Sequence, residues 1–147
     1  MKTKRYQLEI VEDLNKAALE AHKAGHFLEA AIINFQRIEV LLRLAITVYA
    51  RALGVIGSAV NSIDEEQSFH NLVVFFSLLR PKDRLSEKLF GLNRKRNSFV
   101  HKIFIDFKSV ESVKDELKRF SVEAVEVTRS LSKLLEPYME KKGSKTD

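Results

Sequence analysis

An arginine in the second half of the chain stands where a helical pattern requires an apolar residue. Apolar side chains recur at intervals of three and four between Leu85 and Ile103, and the stripe is continuous only if Arg96 belongs to it. Burying an unpaired guanidinium is costly, and arginine cannot relieve that cost by losing its proton. Two alternatives follow. Arg96 pairs with an acid of another helix, such as Glu39 or Glu29, or it lies partly buried at the floor of a groove that accepts a phosphate.

A histidine, the residue type best suited to exchanging protons near neutral pH, follows Arg96 by five residues. Five residues of a continuous helix correspond to a rotation of about 140°, so Arg96 and His101 would point to different faces. Asn97 and Arg94, four and seven residues before His101, would share its face. Arg96 and His101 could therefore act on one substrate only if the helix breaks near them or if a second chain supplies part of the site.

The positive charge of the chain is concentrated around these residues. The chain of 147 residues has a net charge of +5, and residues 80–108 hold nine Lys and Arg against three Asp and Glu. All of the excess charge lies in that segment. Such a patch attracts phosphate-bearing partners such as RNA. A solvated basic helix face is the alternative interpretation.

Helical periodicity extends over nearly the whole chain. The apolar spacing predicts helices over about 4–24, 27–53, 65–80, 81 to between 97 and 104, and 109–139. The second of these has apolar residues on more than one side and is expected to be central. The pattern predicts an all-α, up-and-down bundle of four or five helices. It forms a single domain over residues 1–140, followed by a polar C-terminal tail at 141–147.

Three local features refine this interpretation. The regular apolar stripe of the last helix requires a long partner groove, either inside the bundle or across a homodimer interface. Asp64 is the expected N-cap of the third helix, after a connection at 54–64 whose role as a lid or a simple crossover stays open. Pro137 is expected to end the last helix about one turn early.

Several classes of function are excluded or disfavoured by composition. The absence of cysteine removes disulfides, thiolate metal sites and cysteine nucleophiles. There is no glycine-rich phosphate loop and no convincing set of metal ligands, so we expect neither a cofactor nor a metal. No apolar run reaches the length of a membrane span, and residues 1–14 lack the apolar core of a signal peptide. The expected location is cytoplasmic.

The motif resembles that of the HEPN superfamily (higher eukaryotes and prokaryotes nucleotide-binding domains). The superfamily hallmark is Arg, four to six residues, then His, often with Asn directly after the Arg and near the end of a penultimate helix. Arg96, Asn97 and His101 match it with four intervening residues. The basic residues before Arg96 are also similar to those of the superfamily. The order of the helices is similar as well, and this likeness covers most of the chain. The resemblance therefore implies a HEPN-like bundle.

Many HEPN proteins are metal-independent endoribonucleases whose active site forms where two protomers meet. The resemblance implies that His101 transfers a proton to or from the ribose 2′-hydroxyl or the leaving oxygen, and that Arg96 holds the scissile phosphate. Asn97 would orient the imidazole or contact a phosphate oxygen. The residues expected to attract the RNA backbone are Arg94, Lys95 and Lys102.

The resemblance also allows a non-catalytic alternative, because some members of the superfamily only bind nucleic acids or nucleotides, or regulate. Many catalytic members are toxins with an antitoxin partner. One toxin branch carries, two residues after the His, a Tyr that its antitoxin nucleotidylates. Here that position is Ile103, so this partner system is not expected.

Overall fold

The chain folds into an all-α helical bundle. The computed structural model describes residues 2–55, 57–60 and 67–143, with no strand among them. A short 3₁₀ turn, Glu111–Val113, precedes the last helix, and residues 57–60 are also helical. The longer helices within the described ranges are α1 (Lys2–Lys23), α2 (Phe27–Ala52), α3 (Phe69–Leu79), α4 (Leu85–Phe104) and α5 (Lys114–Gly143). The prediction of an all-α bundle is thus confirmed.

Helix α2 is the centre of the bundle. It packs against α1, α3 and α5, while α4 packs against α3 and α5. Ile38, Leu42 and Ala45 on its predicted stripe are fully buried, and so are residues on its other sides. This burial confirms the prediction that α2 is contacted on more than one side.

An aromatic group joins the helices that position the motif. Phe120 of α5 packs edge-on against Phe99 of α4 at 5.3 Å between ring centroids, and it stacks with Phe35 of α2 at 6.2 Å. Phe35 also packs on Phe69 of α3 at 4.5 Å. Because these rings lie in the core, they fix the rotation of α4 and determine which of its side chains face inward.

Two helix starts differ from the predicted positions. Helix α4 begins at Leu85 rather than at 81, because Asp83 accepts a hydrogen bond from the Leu85 N–H at 2.9 Å and forms an ion pair with Arg80 at 2.9 Å. Helix α3 begins at Phe69, where the Ser68 hydroxyl accepts from the Asn71 N–H at 3.3 Å. Asp64, the expected cap, lies outside the described residues.

Helix α5 continues through Pro137 to Gly143, so the prediction that Pro137 ends the helix was wrong. A proline inside a helix leaves the carbonyl four residues earlier without its donor, here that of Lys133. Lys133 and Pro137 are both exposed, so water can satisfy this carbonyl at little cost. The helix therefore includes the first three residues of the predicted tail, and residues 144–147 lie outside the described part.

Candidate functional site

The motif lies on one uninterrupted helix. Helix α4 runs from Leu85 to Phe104 without a break at Arg96 or His101. The two side chains are thus separated by about 140° around the helix axis. The sequence left two ways for Arg96 and His101 to act on one substrate. The continuous helix excludes a break near them, and a contribution from a second chain remains.

The Arg96 guanidinium is half-buried, and its partners among the described residues are neutral. Its Nη2 donates to Oδ1 of the buried Asn93 at 3.3 Å, and its Cζ lies 4.6 Å from the centroid of the Phe35 ring. Its Nε is buried with no hydrogen-bond partner. A cation over an aromatic face is stabilised by the ring quadrupole, but that contact does not neutralise the charge.

The expected carboxylate partners of Arg96 are engaged elsewhere. Glu39 lies 3.6 Å from Nη2 of Arg43, one helical turn further along α2, and Glu29 lies 3.5 Å from Nδ1 of His26. Within the described ranges, no acid forms an ion pair with Arg96. Local pairs four and three residues apart form at a smaller cost in conformational entropy than a pair between helices, which explains why Glu39 does not reach Arg96.

His101 lies in the last turn of α4 with its side chain 62% exposed. Its Nδ1 is 3.5 Å from Oδ2 of Asp106, which follows the end of the helix. The backbone positions this acid, because the His101 carbonyl accepts from the N–H groups of Ile105 and Asp106 at 2.9 and 3.1 Å. With Nδ1 directed toward Asp106, Nε2 is the nitrogen available for proton exchange.

Asp106 is a site residue that the sequence analysis missed. The signal was a lone acid five residues after His101, in a basic segment. Helical spacing does not place Asp106 beside the imidazole of His101. The turn that follows the end of α4 places it there.

Arg94 and Asn97 are exposed and lie on the helix face of His101. Arg94 forms no ion pair within the part of the chain that the structure describes. This face presents a guanidinium, an amide and an imidazole to solvent, which is a set able to contact a phosphate and exchange a proton.

Lys95 and Lys102 lie on a different side of α4 and are paired with acids of α5. Lys95 Nζ is 2.5 and 2.6 Å from the two carboxylate oxygens of Glu123, and Lys102 Nζ is 2.6 Å from Glu116. Both pairs are partly exposed, so each stabilises the α4–α5 contact by at most about 1 kcal/mol. The structure therefore separates these two lysines from Arg94 and offsets their charge.

An apolar surface adjoins His101. It consists of the exposed side chains that we call the 104–110 segment: Phe104, Ile105, Phe107 and Val110. Phe107 is 88% exposed and has a φ of +53°, in the left-handed region that bulky side chains rarely adopt. Exposed apolar side chains in such number next to a polar face are typical of a contact surface.

No family model, no curated protein and no solved structure matches this chain. In the described ranges, no three His, Asp or Glu side chains gather as ligands of a metal ion would. None of the described helices carries an apolar stretch long enough to cross a bilayer. The α4 geometry is accordingly the basis for a proposal about function.

Proposed function

We propose that the chain is a metal-independent endoribonuclease of HEPN type, with Arg96, Asn97 and His101 in its active site. The observation that carries the proposal is the state of Arg96. Its charge is held at the edge of the core by Asn93 and Phe35, with no described carboxylate to neutralise it. A fixed, uncompensated cation on a basic helix is suited to binding a phosphate diester.

The chemistry requires a base, an acid and a group that stabilises charge on the phosphate. His101 Nε2 takes the proton of the ribose 2′-hydroxyl, and the 2′-oxygen forms a bond to phosphorus. The bond to the 5′-oxygen breaks, and that oxygen receives the proton that His101 Nε2 has taken up. The products are a 2′,3′-cyclic phosphate and a 5′-hydroxyl. Asp106 would hold the imidazole through Nδ1, and Arg96 would offset the charge on the phosphate oxygens.

The proposed site is shared by two copies of the chain. Arg96 and His101 diverge around a continuous helix, whereas a two-fold axis would bring Arg96 of one copy beside His101 of the other. The exposed 104–110 segment directly after His101 supports this arrangement, since a second copy would cover its apolar side chains.

The sequence indicated Arg94, Lys95 and Lys102 as contacts of the RNA backbone. We expect the backbone to contact mainly those basic side chains of residues 80–108 that form no ion pair. Arg94 is exposed beside Asn97 and His101. Lys88 and Lys108, also exposed, form no ion pair within the described residues. Lys95 and Lys102 contribute less, because Glu123 and Glu116 offset their charge.

A second candidate function is non-catalytic binding of RNA or a nucleotide. The packing of the Arg96 guanidinium on the Phe35 ring favours it, because such an arginine can serve the fold instead of a reaction. In that case His101 and Arg94 would contribute to affinity, and no bond would be broken.

The deciding experiment is cleavage of a mixed single-stranded RNA in EDTA. The wild type is compared with Arg96→Ala and His101→Ala, and with two control variants of exposed residues away from α4, Arg51→Ala and His26→Ala. We expect cleavage that survives chelation, yields 2′,3′-cyclic ends and is lost only in the first two variants. Salt-dependent binding without cleavage would favour the second candidate. An inert protein that binds neither RNA nor a nucleotide would contradict both.

A further inference from the structure

A second arginine lies in a pocket of about 290 Å³ between α1, α2 and α5, in a setting that the proposed nuclease activity does not use. The pocket is at the small end of the range for ligand sites, about 300–1,000 Å³. Its polar groups come from all three helices: Asn15 and His22 of α1, Asn34 and Arg37 of α2, and Ser121, Glu126 and Arg129 of α5. Its apolar wall comes from α1 and α5.

The Arg37 guanidinium is almost completely enclosed. The residue is 7% exposed, and its Nη1 donates to Oδ1 of Asn34, itself 4% exposed, at 3.0 Å. Burial lowers the pKa of Arg37 below its ordinary value, yet arginine remains charged in proteins. No acid pairs with it within the described ranges. An enclosed positive charge with only a neutral amide partner destabilises the empty protein.

Arg37 is one of the residues that line the pocket. With Nη1 on Asn34, the Nε and Nη2 edge has no partner among the described residues, and Nε is fully buried. This edge is the one that matches the two oxygens of a carboxylate with two parallel hydrogen bonds.

Ser121 of α5, another residue that lines the pocket, provides an independent observation. Its hydroxyl is buried without a hydrogen-bond partner, and the residue is 6% exposed. Two buried polar groups without partners, on different helices, thus line one pocket. Buried polar groups in native proteins are nearly always paired, so a ligand atom between them accounts for both.

The rest of the lining defines the ligand further. Arg129 adds a second positive charge near Arg37, against the single negative charge of Glu126. This balance suits an anion with one negative charge. Leu19 and Val122 line the same pocket, and both are more than half exposed, although apolar side chains of this size are usually covered.

We propose that this pocket binds a small organic carboxylate. The carboxylate pairs with the Nε and Nη2 edge of Arg37 and accepts a hydrogen bond from Ser121. The short apolar part of the ligand lies against Leu19 and Val122. A carboxylate fits better than a phosphate, because only one edge of Arg37 is free and the lining offers one net positive charge.

The test uses the full chain with butyrate as the probe, butyramide as its neutral counterpart and inorganic phosphate as the competing anion. Calorimetric titration should show binding of butyrate and none of butyramide. Inorganic phosphate should bind more weakly than butyrate. We expect Arg37→Met to abolish butyrate binding, and Ser121→Ala to weaken it by about tenfold. Arg51→Met, on the exposed end of α2, is the matched control and should bind as the wild type does.

A thermal scan without ligand keeps the result interpretable. Arg37→Met should unfold at the same or a higher temperature than the wild type, because it removes an uncompensated buried charge. Ser121→Ala serves as the folded variant if Arg37→Met does not fold. Equal responses to butyrate and butyramide, or tighter binding of phosphate than of butyrate, would overturn the proposal. A third outcome would also overturn it: the wild type does not respond to butyrate, and Arg37→Met loses self-association. In that case a second copy of the chain covers the pocket.

Discussion

Arg37 and Arg96 have the same local geometry in two different helices. Each donates from its guanidinium to an asparagine three residues earlier, Arg37 to Asn34 at 3.0 Å and Arg96 to Asn93 at 3.3 Å. Each has a buried Nε without a partner, and neither pairs with a carboxylate among the described residues. The same sequence spacing, Asn-x-x-Arg, thus places an uncompensated cation at two sites.

The two sites differ in what surrounds the cation. Arg96 rests on the Phe35 ring and remains partly exposed, so a large anion such as a phosphate diester can approach it from solvent. Arg37 is enclosed in a pocket with Ser121, where only a small anion fits. Burial, rather than residue type or local hydrogen bonding, therefore separates a surface suited to a polymer from a pocket suited to a small molecule.

The largest expected effect that distinguishes Arg96 from Arg37 is on the rate of RNA cleavage. Arg96→Ala should lower the rate of RNA cleavage by about 100- to 1,000-fold, as expected when one donor to a developing negative charge is removed. The measurement is the single-turnover rate in EDTA, with Arg51→Ala as control. A rate in Arg96→Ala within a few-fold of the wild type would remove Arg96 from the reaction.

The next effect concerns stability and has opposite signs at the two arginines. Arg37→Met should raise the free energy of unfolding by about 1–2 kcal/mol, because it removes an enclosed charge that no described carboxylate neutralises. Arg96→Met should lower it by up to about 1 kcal/mol, because it removes a favourable contact with the Phe35 ring. Urea denaturation in a buffer without carboxylates measures both. Destabilisation by Arg37→Met would show that the fold itself compensates this charge.

A smaller effect isolates the contact that distinguishes Arg96. A double-mutant cycle of Phe35→Leu and Arg96→Met should give a coupling energy of about 0.5–1 kcal/mol in urea denaturation. The same cycle between Phe35 and Arg37, two positions apart on α2, should give less than about 0.3 kcal/mol, because the two side chains have different neighbours. Equal coupling energies in the two cycles would contradict the assigned surroundings.

The smallest effect concerns the lysines that are paired with α5. Glu123→Gln should release Lys95, raise RNA affinity a few-fold and steepen the dependence of log affinity on log salt by about one unit. The free energy of unfolding should change by less than about 1 kcal/mol. Glu136→Gln, another exposed acid of α5, should change neither quantity. An unchanged affinity and salt dependence in Glu123→Gln would show that Lys95 lies away from the RNA.

The fold was largely predictable because each helix carries its own apolar period. Helix α2 was expected over 27–53 and spans Phe27–Ala52. The errors concern helix ends, whose positions depend on individual side chains rather than on apolar periodicity. Asp83 moves the start of α4 to Leu85, and the last helix of the bundle passes through Pro137 on its exposed face.

The site was only partly predictable for a related reason. Arg96 interrupted an apolar stripe and so was visible in the sequence. Arg37 was not, because α2 is buried on several sides and no single stripe identifies its enclosed positions. Asp106 lies beyond the end of α4, where helical spacing gives no position. The pairing of Glu39 with Arg43 follows from a competition between local and distant partners, which sequence spacing does not resolve.

The central claim, that Arg96 and His101 act together from two copies of the chain, is tested most directly by mixing inactive variants. Arg96→Ala and His101→Ala are co-expressed with different tags, and cleavage by the mixture is compared with that by each variant alone and by the wild type. If the site is shared, half of the dimers carry both variants and each has one intact site, so activity should return to about a quarter of the wild type. A mixture as inactive as the separate variants, beside an active wild type, would contradict the shared site.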